Sequence, residues 1–167
     1  MFNPLAKIIE KGTLLTGRPA AEVRKAQLAA MHEATQFGTR RVKERTPQGV
    51  MGAQGGLLGS IQPEVRQRSS GVVGIIGTAN PYGLVVEKGR RPKQGFPPPG
   101  VLLRWIEVKM GVSREEAEQI ELPIRRKIYH RGTKGAFMFE NTLKEDWADF
   151  QAIFARYGVV ISRELER

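Results

Sequence analysis

From Ala20 to Arg45 the chain contains no proline and a single glycine, Gly38, and prolines stand on either side at Pro19 and Pro47. No other feature of the sequence limits the fold as strongly. Proline at the start suits the first turn of a helix, and Glu22 sits near the positive end of the helix dipole. Val23, Ala26, Ala30, Ala34 and Phe37 recur at three- and four-residue spacing, which makes one narrow apolar stripe. The small side chains in that stripe predict close packing against another surface. Thr46-Pro47 ends the helix, because the residue before a proline avoids helical geometry.

The periodicity changes after this helix. The stretch "QGVMGAQGGLLGS" is glycine-rich and lacks the Gly-Lys-Ser/Thr of a phosphate loop. It reads as a mobile loop over 48–58, with Leu57 and Leu58 available for burial. Ile61, Pro63 and Val65 then alternate with polar residues, Ser69-Ser70-Gly71 signals a turn, and Val72-Val73-Gly74-Ile75-Ile76 is a β-branched return strand. Pro63 has no N–H for a ladder, so its strand belongs at an edge or starts at a bulge. Asn80-Pro81 closes the unit. Tyr82 to Lys88 fits helical spacing with Gly89 as its stop, a third strand being the alternative.

A cationic Gly/Pro segment over 89–100 follows as a second mobile loop, and Val101, Leu102, Trp105, Ile106 and Lys109 then share a helix face that Gly111 ends. Ser113 opens a capping box with Glu116. The helix after it carries Ala117, Ile120, Ile124 and Ile128, and Pro123 should kink or split it. "HRGTKG" reads as a turn. Leu143, Trp147, Phe150, Phe154, Tyr157, Ile161 and Leu165 fit one last stripe, a long helix that Gly158 could bend, with "VVIS" as a possible strand. Residues 1–18 read as an arm or short helix, and 19–167 as a single domain. The pattern is α+β: a long N-terminal helix, a small antiparallel sheet with a β-hairpin, and C-terminal helices. The core candidates are Phe37, Ile75, Tyr82, Trp105, Phe137, Trp147, Phe150 and Phe154.

Composition narrows the function. Apolar residues make up 40% of the chain, enough for a core. There is no cysteine, which removes disulfides and thiolate metal sites. No apolar run approaches the roughly 18 residues of a membrane span, and "MFNPLAKIIEKG" is too interrupted by Lys7, Glu10 and Lys11 to read as a signal peptide. The two histidines, His32 and His130, have no motif partner. No nucleophile elbow or metal-ligand spacing appears, so the chain reads as non-enzymatic, with no cofactor or metal. Twenty-seven Lys and Arg against 17 Asp and Glu leave a net charge of +10, which favours polyanionic or acidic partners.

Several short signals occur in a fixed order: Thr46-Pro47, then Gly56-Leu57 with Ser60 entering a strand, Tyr82, Glu87 with Gly89, a proline-rich loop, Trp105, and Arg131-Gly132-Thr133 before Phe137. This series, spanning about Ala20 to Tyr157, resembles the head–tail junction proteins of long-tailed double-stranded DNA phages, known as neck, tail-completion or minor tail-component proteins. The resemblance implies a structural virion protein assembled in the host cytoplasm and placed at the head–tail junction, forming a ring, expected to be a hexamer, that lines or surrounds the DNA channel. Its implied partners are copies of itself, a portal-side connector or head-completion protein, and a tail terminator or tail tube protein, with non-specific contact to genomic DNA and none to membrane. The assembly candidates are Arg90, Arg91, Lys93, Phe96, Pro97, Pro98, Pro99, Leu57, Leu58, Arg131 and Lys134. Pro97-Pro98-Pro99 would stiffen the basic loop as polyproline and reduce the entropy lost on docking. The competing reading is a basic nucleic-acid-binding protein.

Overall fold

The computed structural model describes residues 3–11, 18–51, 56–69 and 71–165. The fold is α+β, with a long N-terminal helix, an antiparallel hairpin and C-terminal helices. In chain order the elements are β1 (Asn3–Lys11), α1 (Arg18–Arg45), α2 (Gly56–Ser60), β2 (Ile61–Arg68), β3 (Gly71–Thr78), α3 (Gly83–Lys88), β4 (Gly89–Arg90), α4 (Leu103–Met110), α5 (Arg114–Arg131), β5 (Thr133–Lys134), α6 (Met138–Glu145) and α7 (Trp147–Leu165). Contacts divide the chain into two compact units, residues 4–42, 62–77 and 139–167 in one, and residues 1–3, 43–61 and 78–138 in the other.

The first unit is built on a three-stranded sheet in the order β1-β3-β2. The central strand β3 is buried from Val72 to Thr78, as its nearly continuous β-branched run requires. The strand with Pro63 lies at the edge, where a missing N–H breaks no ladder. The core joins Met31 and Ala34 of α1, Val72 of β3, and Phe150 and Ile153 of α7. Phe37 packs edge-on against Phe150 with ring centroids 5.2 Å apart. Of the small residues in the α1 stripe, Ala30 and Ala34 are fully buried, and close approaches outside the stripe occur at Gly38 and Gly74. A Cβ on Gly38 would lie 2.5 Å from Ile76 Cδ1, and one on Gly74 would lie 2.5 Å from both Met31 Sδ and Thr35 Cγ2. Asp146 is buried and accepts from Arg41 at 2.9 Å.

In the second unit α4 packs on α5 through Leu103, Ile106 and Ala117, with Trp105, Ile120 and Ile124 beside them. Ser113 caps α5 with the reciprocal bonds to Glu116 that its sequence predicts. Gly111 ends α4 in the left-handed region, and its N–H bonds the Glu107 carbonyl.

Five expectations need correction. The segment expected as a short helix or arm is a strand over Asn3–Lys11, because its weak local preference yields to ladder bonds offered by β3. The loop expected over 48–58 is already helical from Gly56, and residues 52–55 lie outside the described residues. Of the two outcomes expected at Pro123, the split does not occur: α5 runs unbroken from Arg114 to Arg131. Pro123 and Gln119 are both exposed, so the carbonyl that loses its helical donor faces water rather than core. The last helix divides at Asp146, not at Gly158, while "VVIS" is helical within α7, as the long-helix reading had it. That break turns Trp147 out of the stripe: it is 50% exposed, whereas Phe150 is fully buried.

Candidate docking cleft

The cleft lies within the second unit, and a backbone clip builds one wall. β4 and β5 pair antiparallel, with Gly89 opposite Lys134 and Arg90 opposite Thr133. The same run continues as Ala136 N–H donates to the Val86 carbonyl at 2.8 Å and Phe137 N–H to the Glu87 carbonyl at 3.0 Å. So "EKG" and "RGT", separate signals in the sequence, are two sides of one structure. Their glycines are required by the approach. Gly89 and Gly132 have φ of 78° and 71° with ψ of −171° and −168°, a combination that only glycine adopts readily. A Cβ on Gly132 would lie 2.1 Å from the Arg90 carbonyl oxygen.

A second wall is the basic proline loop, expected to be mobile and without structure. It begins in β4, and α5 pins it at several points. Arg125 Nε donates to the Pro97 carbonyl at 2.7 Å. Its guanidinium lies 4.7 Å from the centre of the Phe96 ring, which also meets Tyr129 at 5.7 Å. Lys93 N–H bonds the Tyr129 carbonyl at 2.6 Å, and Arg90 Nε donates to the Gln94 carbonyl at 2.9 Å.

The remaining wall comes from residues 49–51 and α4. Gly49 has φ of 79°, and a Cβ there would lie 2.8 Å from Trp105 Cα. Asn80 holds this segment by donating from Nδ2 to the Met51 carbonyl at 3.0 Å, while its Oδ1 accepts from Tyr82 N–H at 2.9 Å. Ser60 and Thr78 hydroxyls share a hydrogen bond of 2.6 Å, so the serine of the Gly-Leu-x-x-Ser signal anchors the start of the hairpin.

Together these walls enclose a cleft of about 560 Å³. Its floor is aliphatic, with Val85, Val86, Ile124 and Ile128 among the lining residues. Arg90, Lys109, Lys127, Arg131 and Lys134 also line it, and no carboxylate among the described residues does. Three acidic side chains of α4 and α5, Glu107, Glu118 and Glu121, are engaged elsewhere. Glu107 is paired with Arg104 at 3.0 Å and Arg114 at 3.2 Å, and these bonds hold its carboxyl below the usual range. Glu118 pairs with Arg114, and Glu121 accepts from Leu102 N–H at 3.4 Å.

The predicted assembly residues divide. Arg90, Pro98, Arg131 and Lys134 line the cleft, and Pro97 lines it as a largely buried wall residue. Arg91, Lys93, Pro99 and the half-exposed Phe96 lie on the loop outside its lining. Leu57 is fully buried and offers nothing to a partner, whereas Leu58 is exposed. Of the core candidates, Tyr82 and Trp105 are only half-buried because they line the cleft, and Phe137, half-buried, holds a strained φ of 50° beside the clip. Lys109, Lys127, Arg125 and Asn80 were not identifiable as site residues. Each left only a local trace: Asn80 precedes Pro81, Arg125 and Lys127 fall in one cationic run, and Lys109 follows the helix face of Trp105.

Among the described residues, no group of three or more His, Cys, Asp or Glu side chains is placed to hold a metal ion, and no helix is long and apolar enough to cross a membrane. No protein-family model, curated protein or solved structure matches the chain.

Proposed function

We propose that this chain is a structural, non-enzymatic virion protein, one subunit of a ring at the head–tail junction of a long-tailed phage. The ring joins the connector to the tail and surrounds the DNA channel. One observation supports the reading above the others. Pro47, Tyr82, Trp105, Arg131, Gly132 and Thr133, scattered signals of the ordered series, line a single open cleft. An open, apolar cleft held in shape by backbone contacts is suited to docking, because little order must be gained on binding. Electron microscopy of particles made without this gene tests the proposal. Separate heads and tails are expected, and normally joined virions would refute it.

The nucleic-acid reading retains one specific support, the exposed cations Arg91, Lys93, Lys127, Arg131 and Lys134 in the same unit. Binding to duplex DNA that falls steeply between low and moderate salt would favour it. Absence of binding at low salt removes it.

A further inference from the structure

We infer that the cleft takes an acidic, apolar segment of a partner protein, whose apolar side chains enter the floor while its carboxylates meet Lys109, Lys127, Arg131 and Lys134. The inference rests on the reading of the cleft as a docking socket, and adds the chemistry of what docks. Charge sets the first half of the argument. Those four side chains are exposed, and none forms an ion pair or side-chain hydrogen bond among the described residues. Glu107, Glu118 and Glu121 on the same two helices are bonded to Arg104, Arg114 and the Leu102 N–H instead. A positive rim without internal counter-ions is complementary to a negative partner.

The floor sets the second half. Val85, Val86, Ile124 and Ile128 reward apolar side chains and reject phosphates. Single-stranded nucleic acid would want successive aromatic platforms, and only Tyr82 and Trp105 are aromatic here. The walls are preformed by the β4–β5 clip and the Arg125–Pro97 bond, so the segment binds a shaped socket rather than inducing one.

A random dodecapeptide display library panned on the full chain tests this. The peptides it selects are then titrated by Trp105 emission in a Trp147→Phe background, which leaves the cleft tryptophan as the sole reporter. Selected peptides should combine Leu, Ile, Phe or Met with Asp and Glu, and should shift the Trp105 emission. The double variant R131E/K134E, altered only at exposed positions, should weaken them about tenfold or more at low salt, and peptides with Lys in place of Asp and Glu should recover binding to it. The inference is overturned by no enrichment, by neutral or basic consensus peptides, or by affinity indifferent to R131E/K134E. It is equally overturned if short duplex DNA or dodecanoate shifts Trp105 emission where the peptides do not. The ring itself is scored on virions, so a cleft that binds no acidic peptide and a junction that assembles without this protein are separate failures.

Discussion

Gly132→Ala probes the clip that shapes the cleft. The native φ of 71° and ψ of −168° would hold alanine in a region that costs about 1–3 kcal/mol. Crowding adds to this. The new Cβ would lie 2.1 Å from the Arg90 carbonyl oxygen and 3.1 Å from Pro92 N. Both neighbours are backbone, so relief requires β4 to move away from β5, and forcing a methyl into a packed site costs about 1–3 kcal/mol. Movement also weakens the adjoining hydrogen bonds, each worth about 0.5–1.5 kcal/mol net. Because separation relieves part of the crowding, the contributions overlap, and a total of about 3–5 kcal/mol is expected. Gly111→Ala is the control: φ is also positive at 68°, but the helical ψ of 29° is milder and nothing lies within 4 Å, so about 1–2 kcal/mol is expected. Urea unfolding followed by circular dichroism measures both. Hydrogen exchange at Ala136 and Phe137, whose N–H groups close the clip, should accelerate in Gly132→Ala and not in Gly111→Ala. Equal destabilisation by the two variants, with unchanged exchange at Ala136, would refute the reasoning.

Gly74→Ala drives a methyl against Met31 and Thr35, and denaturant unfolding should show a loss of about 1–3 kcal/mol. Gly158→Ala should do the opposite, since nothing lies within 4 Å of its Cβ position inside α7, and a thermal melt should show a gain of about 0.5–1 kcal/mol. The Glu33 carboxyl is held below its usual value by the Tyr157 hydroxyl at 2.9 Å, then by Arg156. A depressed folded value contributes stability that is present above the unfolded value and lost as pH falls through the folded one. Tyr157→Phe should therefore cost under about 1 kcal/mol at neutral pH, the site being largely solvent-exposed, and the cost should vanish in unfolding curves taken below the folded Glu33 value. A cost that grows on acidification would contradict the assignment.

Much of the local structure was legible because its causes are local. Pro19 and Pro47 bound α1, Gly111 stops α4, and Ser113 and Glu116 open α5 by chemistry contained within a few residues. Pro63 marked its strand as an edge for the same reason, since a missing donor excludes the centre of a sheet. The misreadings occur where a distant partner decides. β1 has its order from β3 and not from its own residues. Trp147 kept the spacing of the apolar stripe, but the break at the buried Asp146, bonded to Arg41, rotates it outward.

The cleft shows the same division. Which residues were unusual could be read in the chain, since stiff prolines, clustered cations and glycines between charged neighbours stand out locally. Local chemistry in the chain was enough for α1, the β2–β3 hairpin with its edge strand, α4, α5 with its cap, and the sign of the charge. Long-range contacts alone bring Gly89 opposite Lys134, fasten Arg125 to Pro97, and set Lys109 and Lys127 beside Arg131 in the cleft lining. Those pairings lie far apart in the chain, and no local periodicity encodes them. They arise when burial of Leu103, Ile106 and Ala117 sets α4 on α5 and so positions everything those helices carry.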